Sequence, residues 1–321
     1  MLVHVLRRLG QSVIVLLVVS FIAFVVFRYI GDPTISLLGE DASVQERQAM
    51  MASLGFDRPV AEQYLDYLRR AVQGDFGISY RLRRPVVDVI AERLPATLEL
   101  ALVAAVLAVA GGIALGVYTA IRRESWVSRG IMSLSLVGVS LPTFLIGIGL
   151  IYLFAVELRW LPSFGRGETV MLGSWQTGLL TASGWASLIM PAFTLGFFKL
   201  TLIMRLVRAE MLETLRADHI RFARARGIPE RRIHFGYALR NTMIPVITIA
   251  GLQIGSLIAF AIVTETVFQW PGVGLLFISS IQAVDVPVIA AYLLLIAVLY
   301  VSINFLVDLL YVLVDPRLRK R

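Results

Sequence analysis

The 321-residue chain contains no cysteine, which excludes disulfides, thiolate nucleophiles and thiolate metal sites and leaves the compartment open. Lysine is almost as scarce: Lys199 and Lys320 are the only two. A phosphate-binding loop needs a lysine that follows glycine and precedes serine or threonine, because its ammonium must reach the phosphates. Lys199 follows Phe198 and Lys320 is next to last, so phosphotransfer chemistry belongs to a partner and not to this chain. Histidine is confined to His4, His219 and His234, whose spacing matches no metal motif. His219 and His234 read as surface histidines. Neither paired acids nor a serine–histidine pair can be assembled inside the apolar segments, as intramembrane proteolysis would require. Ser133, Ser135, Gly111, Gly112 and Gly116 fit close helix packing instead. Charged residues make up only 16% of the chain, against roughly 25% in an ordinary soluble domain.

What the chain has in excess is apolar surface. Hydrophobic residues make up 58% of it, where a soluble domain averages roughly 45–50%. The mean hydropathy is +0.79, and lipid is the medium that buries such an excess. A formal net charge of +8 suits a nucleic-acid binder, but the arginines sit in short segments between apolar runs, the pattern of positive-inside topology. No nucleic-acid partner is expected. The first apolar run continues into Arg28-Tyr-Ile-Gly-Asp-Pro with no small-residue cleavage site, and reads as a retained span.

A spanning helix needs about 20 mostly apolar residues. Six segments qualify, at approximately 9–30, 97–120, 131–156, 187–207, 242–268 and 288–313. Pro142, Pro191 and Pro245 lie in or near them as candidate kinks. Arg7 and Arg8, then Arg122, Arg123 and Arg129, then the dense group from Arg205 to Arg240, and finally Arg317, Arg319, Lys320 and Arg321 fall on one side of a six-span topology. That side is the cytoplasm, so both termini are expected to be cytoplasmic. The loop 269–286 holds no lysine or arginine. The loop 31–96 is long enough to carry structure: Pro59 opens a helix with Val60, Tyr64, Tyr67 and Leu68 on one face. A second amphipathic stretch places Val86, Val87, Ile90 and Leu94 together, with Arg83, Arg84 and Arg93 directed at headgroups. A small helical cap on the outer surface is expected.

The stretch from Glu210 to Pro245, between spans four and five, is the most informative. Asp218 is suited to cap a helix that continues through Ile220, Phe222, Ala223 and Ala225 with arginines between. Gly227 is suited to a left-handed helix end, and Pro229 to the start of a second helix. Small residues at Ala223, Ala225 and Gly227 allow another backbone to approach closely, while Arg224 and Arg226 offer directional hydrogen bonds to carboxylates. A basic helix lying on anionic lipid is the plainer reading, but it needs neither a glycine cap nor two alanines on one face. A helix inserted into a protein cleft does.

Asp218 to Pro245 resembles the "EAA" loop of bacterial ABC-importer permeases, with Ala223, Ala225 and Gly227 at its small positions and Ile244-Pro245 closing it. The flanking "ALRNTMIPVIT" and "GLQIG" narrow the resemblance to the dipeptide/oligopeptide/nickel permease family. So do "GDPT" at Gly31, "GDFGIS" at Gly74, "RLPATLEL" at Arg93, "WLPSFG" at Trp160, "ETVFQWPGVG" at Glu265 and "DPR" at Asp315. The ordered series covers essentially the whole chain and is most similar to the first of the two permeases in such systems. The resemblance implies an all-α membrane protein with the type I importer fold of about six helices and a helical extracytoplasmic loop after helix one. It implies a second, similar permease, two cytosolic ATPases that grip coupling helices, and an extracytoplasmic binding protein that delivers the ligand. The coupling helix is then Asp218–Gly227, including Phe222, Arg224 and Arg226. No cofactor is implied for this chain, since ATP and magnesium belong to the ATPases. The corresponding division is an N-terminal span (1–30), an extracytoplasmic cap (31–96), a permease core (97–313) with coupling loop 208–241, and a cytoplasmic tail (314–321), in the bacterial inner membrane.

Charges inside a membrane cost several kcal/mol unless solvated or paired. Lys199, near the middle of span four, is therefore expected to face the translocation path and attract a carboxylate of substrate or protein. A structural pair or a snorkelling side chain is the plainer alternative. Glu265 and Gln269, at the outer end of span five, are expected at an outer gate or binding-protein seat, with a buried structural carboxylate as the alternative. Gln253 is a further path candidate, although Gln253 and Asn304 are also suited to hydrogen-bond between helices. Asp315 reads as a terminal cap. A stand-alone secondary transporter or channel would need titratable groups deep in several spans or an inverted repeat of broken helices, and neither is evident. A structural scaffold would leave the docking segment as its only interaction surface. Short peptides are the favoured cargo from the resemblance, with nickel chelates, glutathione, opines and sugars as alternatives.

Overall fold

A computed structural model describes residues 2–29, 43–53, 55 and 57–314. Gly31-Asp-Pro-Thr and Asp315-Pro-Arg lie outside the described residues, as do Arg319, Lys320 and Arg321. The remainder is almost entirely helical. The elements are α1 (Leu2–Tyr29), α2 (Val44–Ser53), α3 (Val60–Val72), α4 (Val86–Ile121), α5 (Trp126–Ser140) and α6 (Thr143–Leu150), the last prolonged by a π-helical turn at Ile151–Glu157. A two-stranded hairpin, β1 (Val170–Leu172) and β2 (Trp175–Thr177), precedes α7 (Ala182–Arg216) and α8 (Asp218–Ala225). One turn, α9 (Glu230–Arg232), passes through a π-helical turn at Ile233–Ala238 into α10 (Leu239–Val267), followed by α11 (Val273–Gln282) and α12 (Val286–Val314).

Among the described residues five helices are long and apolar enough to cross a membrane, within α1, α4, α7, α10 and α12. The expected third span is not one helix. It breaks between α5 and α6, whose axes differ by 115°, because Leu141, ahead of Pro142, is extended at φ −91°, ψ 137°, the backbone a following proline enforces. Pro191 and Pro245 leave α7 and α10 continuous, since neighbouring groups in a bundle can re-satisfy the hydrogen bond that proline removes. The second expected loop helix is also revised. Val86–Leu94 forms the first turns of the 36-residue α4, which runs on through Pro95, so the expected boundary at 96/97 falls inside a helix.

The chain forms two compact units. One comprises residues 96–271 and the described residues from 300 onward. Here α4 and α7 approach closely: a Cβ on Gly116 would lie 2.6 Å from Val207 Cβ, and one on Gly112 would lie 2.8 Å from Ile203 Cγ2. Glycine is what permits the contact, as its absent side chain predicts. The cores of this unit are Leu100, Leu188, Leu195, Leu257 and Trp270 in one cluster, and Val117, Ile203, Val207, Met211 and Val246 in another.

The other unit comprises the described residues among 2–95 together with 272–299. Val86, Val89 and Ile90 bury against Val273, Leu276, Val288 and Tyr292. Pro59 stands just before α3 as its capping residue. Tyr64 of α3 meets Phe21 edge-on at 5.6 Å, and Tyr67 stacks on Phe27 at 6.0 Å. This helix therefore packs its aromatic face on α1. Arg84 pairs with Glu92 instead of standing free. Asp285, buried, accepts from Ser79 Oγ at 2.5 Å and from the Tyr80 backbone N–H at 3.0 Å. It thereby anchors the turn that follows Gly74-Asp-Phe-Gly. Burial and the Asp285 charge push the Tyr80 phenol up to about 12. Replacing Asp285 by asparagine is expected to lower stability by about 1.5–3 kcal/mol, the worth of hydrogen bonds to a charged acceptor. The thermal midpoint of the purified protein reads it.

Candidate functional site

The segment singled out by sequence forms a single exposed helix held between two long ones. α7 ends at Arg216, and Ala217, extended at φ −66°, ψ 149°, is the only residue separating it from α8. Ala217 occupies the capping position and no side chain caps the helix. Asp218 is already its first residue, so the expected capping role is not taken. Its carboxylate instead lies 3.4 Å from Arg221, within the favourable first turn. Gly227 adopts φ +74°. The Gly227 N–H donates to the Arg224 carbonyl at 2.9 Å and the Ile228 N–H to the Ala223 carbonyl at 3.2 Å, the paired closure that a left-handed residue makes possible. Pro229 caps α9, and helical backbone then continues to Val267.

Ile220, Ala223 and Ile233 are buried together, with Leu215 and Ile228 against them. Ala223 therefore faces this chain's own packing, while Ala225 and Gly227, the other two small residues expected to allow close approach, stay exposed. Asp218, His219, Arg221, Phe222, Ala225, Arg226 and Gly227 are exposed. Phe222 keeps 63% of its surface open, and the Arg226 guanidinium lies 5.5 Å from its ring centre. Arg224 is committed internally: its Nε and Nη2 reach the two oxygens of Glu230 at 2.7 and 3.3 Å, and they hold that carboxyl below its usual range. His234 lies 3.2 Å from Glu230.

Within the spans, two sequence candidates meet. Lys199 Nζ of α7 donates to Gln253 Oε1 of α10 at 2.5 Å, and its ammonium lies 5.3 and 5.7 Å from the Phe198 and Phe260 ring centres. Glu265 is elsewhere and fully buried, accepting from Thr97 Oγ1 at 2.5 Å. Its burial against Thr97 fits the buried structural carboxylate offered as the alternative. Gln269, at φ +48°, is exposed. Asn304 turns back on its own helix, donating to the Tyr300 carbonyl at 2.8 Å.

Sequence reasoning missed a buried ion pair in the same unit. Arg166 Nη2 donates to Glu99 Oε2 at 2.6 Å and to the Gln176 carbonyl at 2.6 Å. Glu99 also accepts from Trp175 Nε1 at 3.1 Å and the Gly178 N–H at 3.3 Å. The pair ties the β1–β2 hairpin to α4 beside a cavity of about 500 Å³ lined by Leu102, Trp175, Ile254, Ile258 and Ile303. Its available signal was two charges in apolar surroundings, each in or beside a motif already quoted.

Spanning helices, a broken span and an amphipathic helix projecting between α7 and α10 define a multi-spanning membrane protein of the permease class. Residues 112–320 match the family described as the binding-protein-dependent transport system inner membrane component, and residues 1–101 match the N-terminal membrane component of such systems. The chain is 40% identical to the di/tripeptide transport system permease protein of Pseudomonas aeruginosa (strain UCBPP-PA14), over 99% of each chain. It is also 40% identical to the dipeptide transport system permease protein of Escherichia coli (strain K12), over 100% of each. Identity to the glutathione transport system permease protein of Shigella flexneri serotype 5b (strain 8401) is 38%, over 99% of each. The chain belongs to the binding-protein-dependent permease family: it is a membrane permease subunit of an ATP-binding-cassette importer.

Proposed function

We propose that this permease moves short peptides or related small solutes, handed over by an extracytoplasmic binding protein, along a path shared with a second, similar permease. Two cytosolic ATPases drive it through α8, and both termini lie in the cytoplasm with α8. ATP and magnesium are bound by those ATPases, and this chain holds no cofactor. The observation that carries the reading is α8 itself. Ile220 and Ala223 fix it from below, it presents Phe222, Ala225 and Arg226 outward, and one residue joins it to α7. An exposed phenylalanine beside arginine suits an apolar cleft with an acidic rim, where buried aromatic and arginine residues concentrate binding energy. The peptide cargo follows from the di/tripeptide, dipeptide and glutathione permeases to which the chain is similar. Alternating access is then a switch between two packings of the helices.

Phe222→Ala is expected to weaken capture of the partner ATPases at least tenfold, since truncating a central anchor costs about 2 kcal/mol or more. Co-purification of the assembled importer measures it. A chain that transports alone, without ATPases, would instead establish the stand-alone transporter or channel.

A further inference from the structure

Lys199 sits at the midpoint of a 35-residue helix, where a charge persists only beside water, a partner charge or a polar cavity. Its hydrogen-bond partner, Gln253, is neutral. Among the described residues no carboxylate forms an ion pair with it, and the Phe198 and Phe260 rings lie 5.3 and 5.7 Å from its ammonium. Phe260 keeps 61% of its surface open, so the group lies at a face of its unit and not in the core. An ammonium has three donors and a glutamine amide two. The Gln253 oxygen takes one ammonium donor.

We propose that Lys199 and Gln253 form a carboxylate-recognition station in the translocation path, a reading that rests on the path assigned above and names the cargo group it takes. The arriving carboxylate displaces the Gln253 oxygen from Nζ. Rotation of the amide by half a turn then points Nε2 at the same carboxylate, so that ammonium and amide donate together. Charge-assisted bonds of this kind are about twice as strong as neutral ones. The two rings exclude water from the pair and favour the cation over their faces. In the unloaded state Gln253 holds the ammonium in place with a neutral acceptor, which a carboxylate outcompetes and a carbonyl does not.

This chain has two lysines, so labelling it alone makes the station readable. The permease, grown with isotope-labelled lysine and assembled in lipid nanodiscs with unlabelled partner subunits, gives a Lys199 side-chain NMR signal assigned by its loss in Lys199→Arg. Dialanine and acetate, which carry the carboxylate, are expected to shift that signal. Dialanine amide, which lacks it, is expected to need at least tenfold higher concentration. In Gln253→Glu a carboxylate of this chain occupies the station, so the response to dialanine is lost while the partner ATPases still co-purify. Equal responses to acid and amide, or no response to any probe, overturn the proposal. So does a Lys199 signal that moves when the second permease assembles but ignores cargo, because the carboxylate then belongs to protein. Failure of the coupling reading is separate, and shows as ATPase capture unchanged in Phe222→Ala.

Discussion

Replacing Gly227 by valine is expected to abolish transport while the chain still inserts into the membrane. Among the described residues, its two chain neighbours aside, nothing lies within 4 Å of a Cβ at that position, so no such contact opposes a side chain. Two costs remain. The backbone is left-handed at φ +74°, which costs a non-glycine residue about 1–2 kcal/mol and strains the closure made by the Gly227 and Ile228 N–H groups. On the coupling role proposed for α8, the new side chain also projects into the docking surface, and overpacking a fitted surface costs about 1–3 kcal/mol. Together these exceed the 1.4 kcal/mol that corresponds to tenfold. Gly227→Asn separates the two, because asparagine tolerates the left-handed region yet still adds bulk. It should insert normally and transport poorly. Uptake in cells, alongside the amount of chain in the membrane fraction, is the measurement, and a valine variant that transports at the parent rate defeats the assignment of α8.

Removing one partner of the Glu99–Arg166 pair is expected to be the most destabilising single change in the chain. Both side chains are at most 6% exposed, and breaking a buried pair from one side costs about 3–5 kcal/mol because the surviving charge has no compensation. Arg166→Met leaves Glu99 with the Trp175 and Gly178 donors, and should lower the thermal midpoint and loosen β1–β2. The double variant Glu99→Leu with Arg166→Met should recover much of the loss, since well-packed apolar residues often replace a buried pair at little cost. A single variant that melts with the parent protein would show that the hairpin is held by other contacts.

Spanning helices were legible because hydropathy needs no knowledge of neighbours. The break at Leu141 was not, because Pro142, Pro191 and Pro245 look alike in sequence and only packing decides which helix continues. The first turns of α4 read as a separate outer helix because the amphipathic pattern of Val86–Leu94 differs from the apolar run that follows it. In α8 the left-handed Gly227 was readable from residue type, but the inward turn of Ala223 depends on Ile233, which lies across the glycine turn. The quoted motifs had a physical meaning that spacing alone hid. Ala96, Thr97 and Glu99 of "RLPATLEL" receive Trp270, meet Glu265 and pair with Arg166, respectively. Ser79 of "GDFGIS" is held by Asp285. These strings mark where distant segments are pinned together, and Gln253 of "GLQIG" likewise meets Lys199, which lies in none of the motifs.

The single-residue joint at Ala217 has a mechanical consequence. On the coupling role proposed for α8, a push on it reaches α7 across this one joint and, through α9 and the π-helical turn, α10. Lys199 lies on α7 and Gln253 on α10, so their bond bridges the two helices. A slip of two residues' rise, about 3 Å, across the 2.5 Å contact stretches it to about 3.9 Å, beyond hydrogen-bonding range. On the proposed station, the bond would then act as a strain gauge, making or releasing its grip on cargo in step with force applied at α8.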